Sequence, residues 1–199
     1  VVARGARRRR QQKSPPPFVT AKLQQAAYQR YRFAVRRTMQ LAQKLYEGVD
    51  LGAGERVGLI TYMRTDSVRV AGEAIAAVRE LIGASYGPSF LPEKPNFFKN
   101  RSEAQDAHEA IRPTDVARTP EAMARYLAAD ELKLYTLVWQ RFVASQMTPA
   151  QFDVTDVVVD AGRFGFKAKG EVEVDAGYLR VYREDETPVE KPPAEQEDE

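Results

Sequence analysis

The sequence contains no cysteine and a single histidine. Those two absences exclude a disulfide scaffold, a thiol nucleophile, an iron–sulfur cluster and an imidazole-rich metal site within the chain. No apolar run approaches the ~18–20 residues of a membrane span, and the arginine-rich start lacks the apolar stretch of a signal peptide. The expectation is a cytoplasmic protein with no membrane partner. Gly48, Gly52, Gly54 and Gly58 are not followed by the Gly-Lys-Ser/Thr ending that holds a triphosphate and its metal, so ATP is not expected as a cofactor. The chain also lacks an initiator methionine, beginning Val-Val-Ala-Arg, which hints at a piece of something longer.

A further absence is more informative. Residues 1–46 contain no acidic side chain but twelve basic ones: Arg4, Arg7 to Arg10, Lys13, Lys22, Arg30, Arg32, Arg36, Arg37 and Lys44. The rest of the 199 residues holds the other 18 basic residues against all 28 acids, so the overall net charge of +2 hides a strong polarity. That polarity points to a polyanion-binding first quarter. The last sixteen residues, from Glu184, carry eight acids, one Lys and three Pro and read as a frayed acidic tail. A 43% hydrophobic fraction with balanced charge excludes wholesale disorder, and the length suffices for one real core.

Along the chain, residues 1–17 read as a basic, strand-like lead that Pro15-Pro16-Pro17 brings to a stop. Thr20 is placed to cap a helix bearing Leu23, Ala26 and Ala27, and a second helical pattern runs through Val35, Met39, Ala42 and Leu45 to Gly48. With their brief connection, these two form a helix-turn-helix-like pair. Residues 57–63 read as a short, buried strand. Ala71, Ala74, Ile75, Val78, Leu81 and Ile82 fall at helical spacing with Gly83 as the stop, and Ala71 sits where a Ser or Thr cap is common. Residues 84–100 read as loop, residues 102–111 as a short helix capped by Ser102 and stopped by Pro113, and residues 130–146 as another helix. Then the period changes to two, so that residues 153–160 and 163–182 read as antiparallel strands broken at Ala161-Gly162 and Ala176-Gly177.

Two clusters carry chemistry. In Gly58-Leu59-Ile60-Thr61-Tyr62-Met63-Arg64-Thr65-Asp66-Ser67, alternation places Tyr62, Arg64 and Asp66 on one face. A phenol oxygen can attack phosphorus while a neighbouring guanidinium neutralises the phosphate oxygens. The alternative is a strand-end tyrosine beside a surface Arg–Asp pair. In Gln105-Asp106-Ala107-His108-Glu109-Ala110-Ile111-Arg112-Pro113-Thr114, helical spacing would group Gln105, His108, Glu109 and Arg112. His108 can hydrogen-bond a phosphate or orient a carboxylate, or it is structural. Glu171-x-Glu173-x-Asp175 has the look of an acidic triplet, but its alternating context marks an exposed polar strand face.

Taken with Leu23-Gln24-Gln25-Ala26-Ala27, Ala42-Gln43-Lys44-Leu45-Tyr46-Glu47 and Gln146-Met147-Thr148-Pro149-Ala150, these ordered blocks make residues 15–155 resemble the bacterial type IA DNA topoisomerases. The resemblance implies that Tyr62 is the nucleophile, forming a 5′-phosphotyrosine ester with one DNA strand. It implies that Arg64 stabilises the scissile phosphate, and that Asp66 and His108 assist as a hydrogen-bonded pair tuning charge. Gln43, Glu47, Thr61 and Thr65 would support the site, and Arg36, Arg37 and Arg112 would contact DNA, single-stranded at the cleavage site. Magnesium would be bound by a TOPRIM domain that this chain does not contain, so the remainder of the topoisomerase is the expected partner and the fragment alone is expected to be inactive. Resealing would need no ATP, because one phosphodiester is exchanged for another.

The implied fold is α+β: a mainly helical, winged-helix-like (CAP-like) gate domain over residues 18–150, flanked by antiparallel strands of an arch domain at 1–17 and 151–183, with an acidic tail at 184–199. The implied activity is ATP-independent relaxation of negative supercoils by an isomerase associated with the nucleoid. The alternative is a non-catalytic DNA-binding module.

Overall fold

The computed structural model describes residues 2–52, 54, 56–100 and 108–184. Ten elements follow in chain order: strand β1 (Val2–Gln12), helices α1 (Thr20–Tyr31) and α2 (Val35–Glu47), short strands β2 (Val49–Asp50) and β3 (Arg56–Val57), helices α3 (Gly72–Ser85), α4 (Pro120–Met123) and α5 (Ala129–Ser145), and strands β4 (Ala150–Ala161) and β5 (Phe164–Asp175). Two 3-10 turns, Pro88–Phe90 and Gly177–Arg180, complete the path. No helix among the described residues is long and apolar enough to cross a membrane.

Helix α5 is the centre of the core. Leu134, Tyr135, Leu137, Val138, Trp139, Phe142 and Val143 are all buried, and Leu23, Ala27, Leu41, Ala42 and Leu45 from α1 and α2 belong to the same cluster. Its two large polar-tipped aromatics find acceptors on one loop: Tyr135 donates to the Arg118 carbonyl (2.6 Å) and Trp139 to that of Val116 (2.9 Å). Burial, with Asp115 nearby, pushes the Tyr135 phenol well above its ordinary range, so it is a donor at any working pH. Between α1 and α2 the chain turns through Arg32, whose left-handed backbone (φ 58°) lets its amide bond the Ala27 and Tyr28 carbonyls and close the helix.

Strands β1, β4 and β5 form an antiparallel sheet in the order β1-β4-β5. The register sets Arg7 opposite Thr155 and Arg9 opposite Asp153, and both guanidinium groups close on the Asp153 carboxylate, that of Arg9 at 2.7 Å. Arg8 lies 3.6 Å from Asp156, and Arg10 binds Glu171 while stacking on Phe152 at 4.6 Å. The arginine run that reads in sequence as a polyanion ligand is therefore matched by carboxylates of the same sheet. The triplet of β5 lies exposed and is engaged likewise: Glu171 with Arg10, Glu173 with Arg183 (3.1 Å), and Asp175 accepting from the Gly177 amide (2.9 Å).

Several expected boundaries move. Helix α3 passes Gly83 and ends at Ser85; Gly83 faces Leu91, which would lie 3.2 Å from a Cβ there. Ala71 is the N-cap of α3 and makes no side-chain cap bond. The last strand stops at Asp175, at the expected Ala176-Gly177 break, but residues 178–182 do not resume it: Gly177 (φ 47°) turns against Pro149, whose carbonyl lies 2.5 Å from where a Cβ would sit. Helix α4, capped by the Thr119 hydroxyl (3.3 Å), is too short to announce itself by periodicity. Of residues 102–111, only 108–111 are described, and they are not helical. The acidic tail beyond Glu184 also lies outside the described residues.

The hydrogen bonds of Arg7 and Arg9 hold the Asp153 carboxyl below the ordinary carboxylate range. The unfolded chain therefore takes up this proton first. The stabilisation is present above the unfolded value of about 4 and is lost as pH falls through the depressed folded value. Asp153→Asn should flatten the acid limb of stability, read as the urea midpoint between about pH 6 and pH 3.

Candidate active site

Residues 58–67 run as an extended segment with little strand pairing. Only Arg56–Val57 pair with β2, and beyond them a single bridge joins Ile60 to Pro113. The alternation expected of a strand nevertheless holds: Met63, Thr65 and Ser67 are buried while Tyr62, Arg64 and Asp66 are exposed. Tyr62 keeps 43% of its surface open.

The segment is held by its neighbours instead of by a sheet. Thr61 donates its amide to the Arg112 carbonyl (2.9 Å) and its hydroxyl to the Ala110 carbonyl (2.7 Å), and accepts from the Arg112 amide (3.0 Å). Thr114 donates its amide to the Leu59 carbonyl (3.0 Å). On the other side, the Thr20 amide donates to the Thr65 carbonyl (2.9 Å), while the Thr20 hydroxyl accepts from the Thr65 amide (2.8 Å) and lies 2.8 Å from the Met63 carbonyl. Thr20 is thus the first residue of α1 rather than its cap (that place falls to Val19), and its hydroxyl fixes the two residues flanking Arg64.

This lacing explains why residues 108–111 are not helical. The amides of Ala110 and Ile111 are taken by the carbonyls of Arg69 and Phe18, both at 2.8 Å, so tertiary partners replace the intrahelical ones. The two sequence clusters are thereby brought together through Thr61. Gln105 lies outside the described residues; His108 is exposed and Glu109 half-buried. Arg112 is placed inside: its side chain is 11% exposed, its fork grips Glu109 (2.7 and 3.1 Å), and its third nitrogen donates to the Pro113 carbonyl (3.0 Å). As placed, it braces the 108–114 segment. Thr65 is likewise buried, accepting from the Ser67 amide (3.0 Å).

Helix α2 supplies the facing wall. Its Tyr46 ring meets the Tyr62 ring edge-on, with centroids 5.4 Å apart at 66°. Gln43 donates to Glu47 one turn along the helix. A cleft of about 680 Å³ is lined by Arg36, Arg37, Gln40, Gln43, Lys44 and Arg64, among others. Arg37 and Lys44 are partly tied to α5, to Asp130 (2.9 Å) and Glu131 (3.3 Å); the Arg37 hydrogen bond lowers the Asp130 carboxyl from its ordinary value. Approach of this wall depends on Gly58, where a Cβ would lie 2.6 Å from the Tyr46 carbonyl oxygen. Tyr46 and Thr20 are the participants that sequence reasoning missed. Tyr46 lies inside a motif block, between Gln43 and Glu47, and Thr20 carries only the signal of a local helix cap.

Chemically, the arrangement offers an exposed phenol two residues from an exposed guanidinium that lines a basic cleft. Among the described residues, no group of three or more His, Asp or Glu side chains is placed to hold a metal ion.

Comparison with known proteins gives a consistent result. The family described as DNA topoisomerase matches residues 1–199. The DNA topoisomerase 1 of Xylella fastidiosa is 51% identical over 170 residues, covering 84% of this chain and 21% of the relative. That of Treponema pallidum is 50% identical over 167 residues, covering 84% and 23%. The structure of full-length topoisomerase I from Thermotoga maritima superposes with a TM-score of 0.81 at 40% identity, covering 91% of this chain and 29% of that one. The chain therefore spans about a fifth to a quarter of the length of these curated relatives.

Two substitutions test the framework. Thr20→Val leaves the buried Thr65 amide unpaired and should cost about 1–3 kcal/mol in urea unfolding, most of it recovered by Thr20→Ser. Gly58→Ala drives a methyl group into backbone and should cost roughly 1–3 kcal/mol by the same measure.

Proposed function

The chain belongs to the DNA topoisomerase family, and on that premise we propose that it carries the nucleophile of a type IA enzyme, with Tyr62 as the residue that cuts DNA. The observation that carries this reading is the exposed Tyr62, with exposed Arg64 and Asp66 on a segment whose intervening side chains are buried. The Tyr62 oxygen attacks the phosphorus of a single-strand phosphodiester. The bond to the 3′ oxygen breaks, the phenolic proton passes to a base, and the departing 3′ oxygen acquires a proton, leaving a 5′-phosphotyrosine ester. Reversal reseals the strand without ATP, since the number of ester bonds is conserved.

Arg64 stabilises the charge of the phosphate in flight, and Asp66 and His108 assist by tuning charge. Gln43, Glu47 and Thr61 hold the approach, while Arg36 and Arg37 draw the backbone into the cleft of α2. Thr65 and Arg112 act from behind the surface as positioning residues. Magnesium is held by the TOPRIM domain of the parent protein, which relaxes negative supercoils by strand passage in the cytoplasm, at the nucleoid. The α1–α2 pair supports the winged-helix reading of the gate, with β1, β4 and β5 belonging to the arch.

The test is covalent capture. With end-labelled single-stranded DNA, magnesium and a separately supplied TOPRIM segment, the chain should form an adduct on Tyr62, and Tyr62→Phe should abolish it. Arg64→Ala should lower the rate by about 10²–10³-fold, as expected for loss of one charge-stabilising donor. An adduct that survives Tyr62→Phe overturns the assignment. DNA binding without any modification of Tyr62 favours the non-catalytic alternative.

A further inference from the structure

A second basic hollow lies between α1 and α5, lined by Lys22, Gln25, Gln29, Arg30, Arg32 and Arg141, among others, with a volume of about 380 Å³. Its lining differs from that of the α2 cleft in having a buried charge at its floor. The Arg141 side chain is only 7% exposed. Its Nε donates to the Pro16 carbonyl (2.7 Å), its plane lies 4.9 and 5.0 Å from the Phe18 and Tyr182 rings, and its Nη1 donates to Glu184 (2.6 Å). A guanidinium withdrawn this far from water needs an anionic acceptor. The acceptor it has is an outsider: the Glu184 carboxylate reaches in from a side chain that is 60% exposed.

The charge around the hollow is lopsided. Among the described residues, Lys22, Arg30, Arg32 and Arg141 line it against the one carboxylate of Glu184. Arg30 lies 5.3 Å from the Tyr182 ring and donates to Gln140 (3.3 Å) and to the Arg183 carbonyl. Lys22, Gln25 and Gln29 follow one another along about 10 Å of helix, offering donors that read no base and suit a backbone. The volume is many times the ~30 Å³ of one water, so it admits a phosphate together with its sugar.

We propose that this hollow is an anion site for a phosphate of a single-stranded nucleic-acid backbone, and that Glu184 is its intramolecular occupant, displaced when the strand binds. The inference rests on the reading of DNA as substrate but concerns a surface separate from Tyr62. Glu184 stands in for the phosphate: its carboxylate satisfies Arg141 and excludes other anions until a ligand with more contacts arrives. The first acid of the acidic stretch thereby becomes a competitor of the substrate.

The test uses the whole chain and a fluorescent oligothymidylate followed by anisotropy, with inorganic phosphate in a parallel titration monitored by amide chemical shifts. Glu184→Gln should tighten oligonucleotide binding about tenfold, the worth of one charged hydrogen bond. The exposed Glu80→Gln on α3 makes the same charge change away from the hollow and should have no such effect. Lys22→Ala with Arg30→Ala should weaken binding and reduce the salt slope by about 0.7 for each phosphate no longer neutralised. Affinity indifferent to both Glu184→Gln and the double variant overturns the proposal. Phosphate binding at Arg141 without oligonucleotide binding overturns the nucleic-acid assignment in favour of a free-anion site. An adduct on Tyr62 with affinity indifferent to Glu184→Gln and to the double variant overturns the hollow alone, and tightening by Glu184→Gln without any adduct overturns the nucleophile alone, so the two failures are read separately.

Discussion

A buried backbone without a sheet is the constraint on which the site depends. Residues 58–67 must present Tyr62, Arg64 and Asp66 to solvent while Met63, Thr65 and Ser67 go into the core. An extended chain does this by alternation, but each amide and carbonyl it buries still requires a partner. Those partners come from two directions: from residues 110–114 through Thr61, and from the start of α1 through Thr20. Helix α1 cannot shift and residues 110–114 cannot coil without unpairing the strip that carries the tyrosine. The bridge from Phe18 to Ile111 closes the ring, because the chain entering α1 also pairs with the segment following His108.

Charge in this protein is organised by fold more than by sequence. A first quarter with twelve bases and no acid invites a single explanation, yet the structure divides it. Arg7 to Arg10 on β1 meet Asp153, Asp156 and Glu171 across the sheet, so that block is largely neutralised at home. Arg36 on α2 and Lys22, Arg30 and Arg32 on and after α1 instead line hollows. Exposed pairs contribute little stability each; here they lower the net charge of the longest cationic run.

Long periodic elements are legible in the sequence. Helices α2, α3 and α5 and strands β4 and β5 announce themselves through repeats of 3.6 and two, and the alternation of residues 62–67 survives without a strand partner. What is not legible depends on distant groups. Residues 108–111 carry a helical pattern, but their amides are claimed by Arg69 and Phe18, some forty and ninety positions away. Arg112 reads as a DNA contact, and its brace to Glu109 and the Pro113 carbonyl is visible only in the folded chain. Thr20 has the composition of a cap and the job of a cross-link. Of the site, the residues bearing reactive groups can be named from motif blocks. The residues that aim them cannot, because a hydroxyl on a backbone carbonyl some forty positions distant leaves no local trace.

A division of labour follows. The groups proposed to meet DNA (Tyr62, Arg64, Asp66 and Arg36) are exposed, and the groups that fix them (Thr20, Thr61, Thr65 and Arg112) are bound to backbone or to a half-buried carboxylate. Precision at the reactive face is supplied by main-chain hydrogen bonds, which do not change when a side chain above them does. Gly58 belongs to the same logic, since its missing Cβ lets the strip lie against the end of α2 and brings Tyr46 to Tyr62. Among the described residues, Tyr62, Arg64 and Asp66 stay exposed above it. A surface held rigidly from beneath and left uncovered above suits a site whose remaining parts arrive from elsewhere: the substrate strand and, on the proposed reading, the magnesium-binding domain.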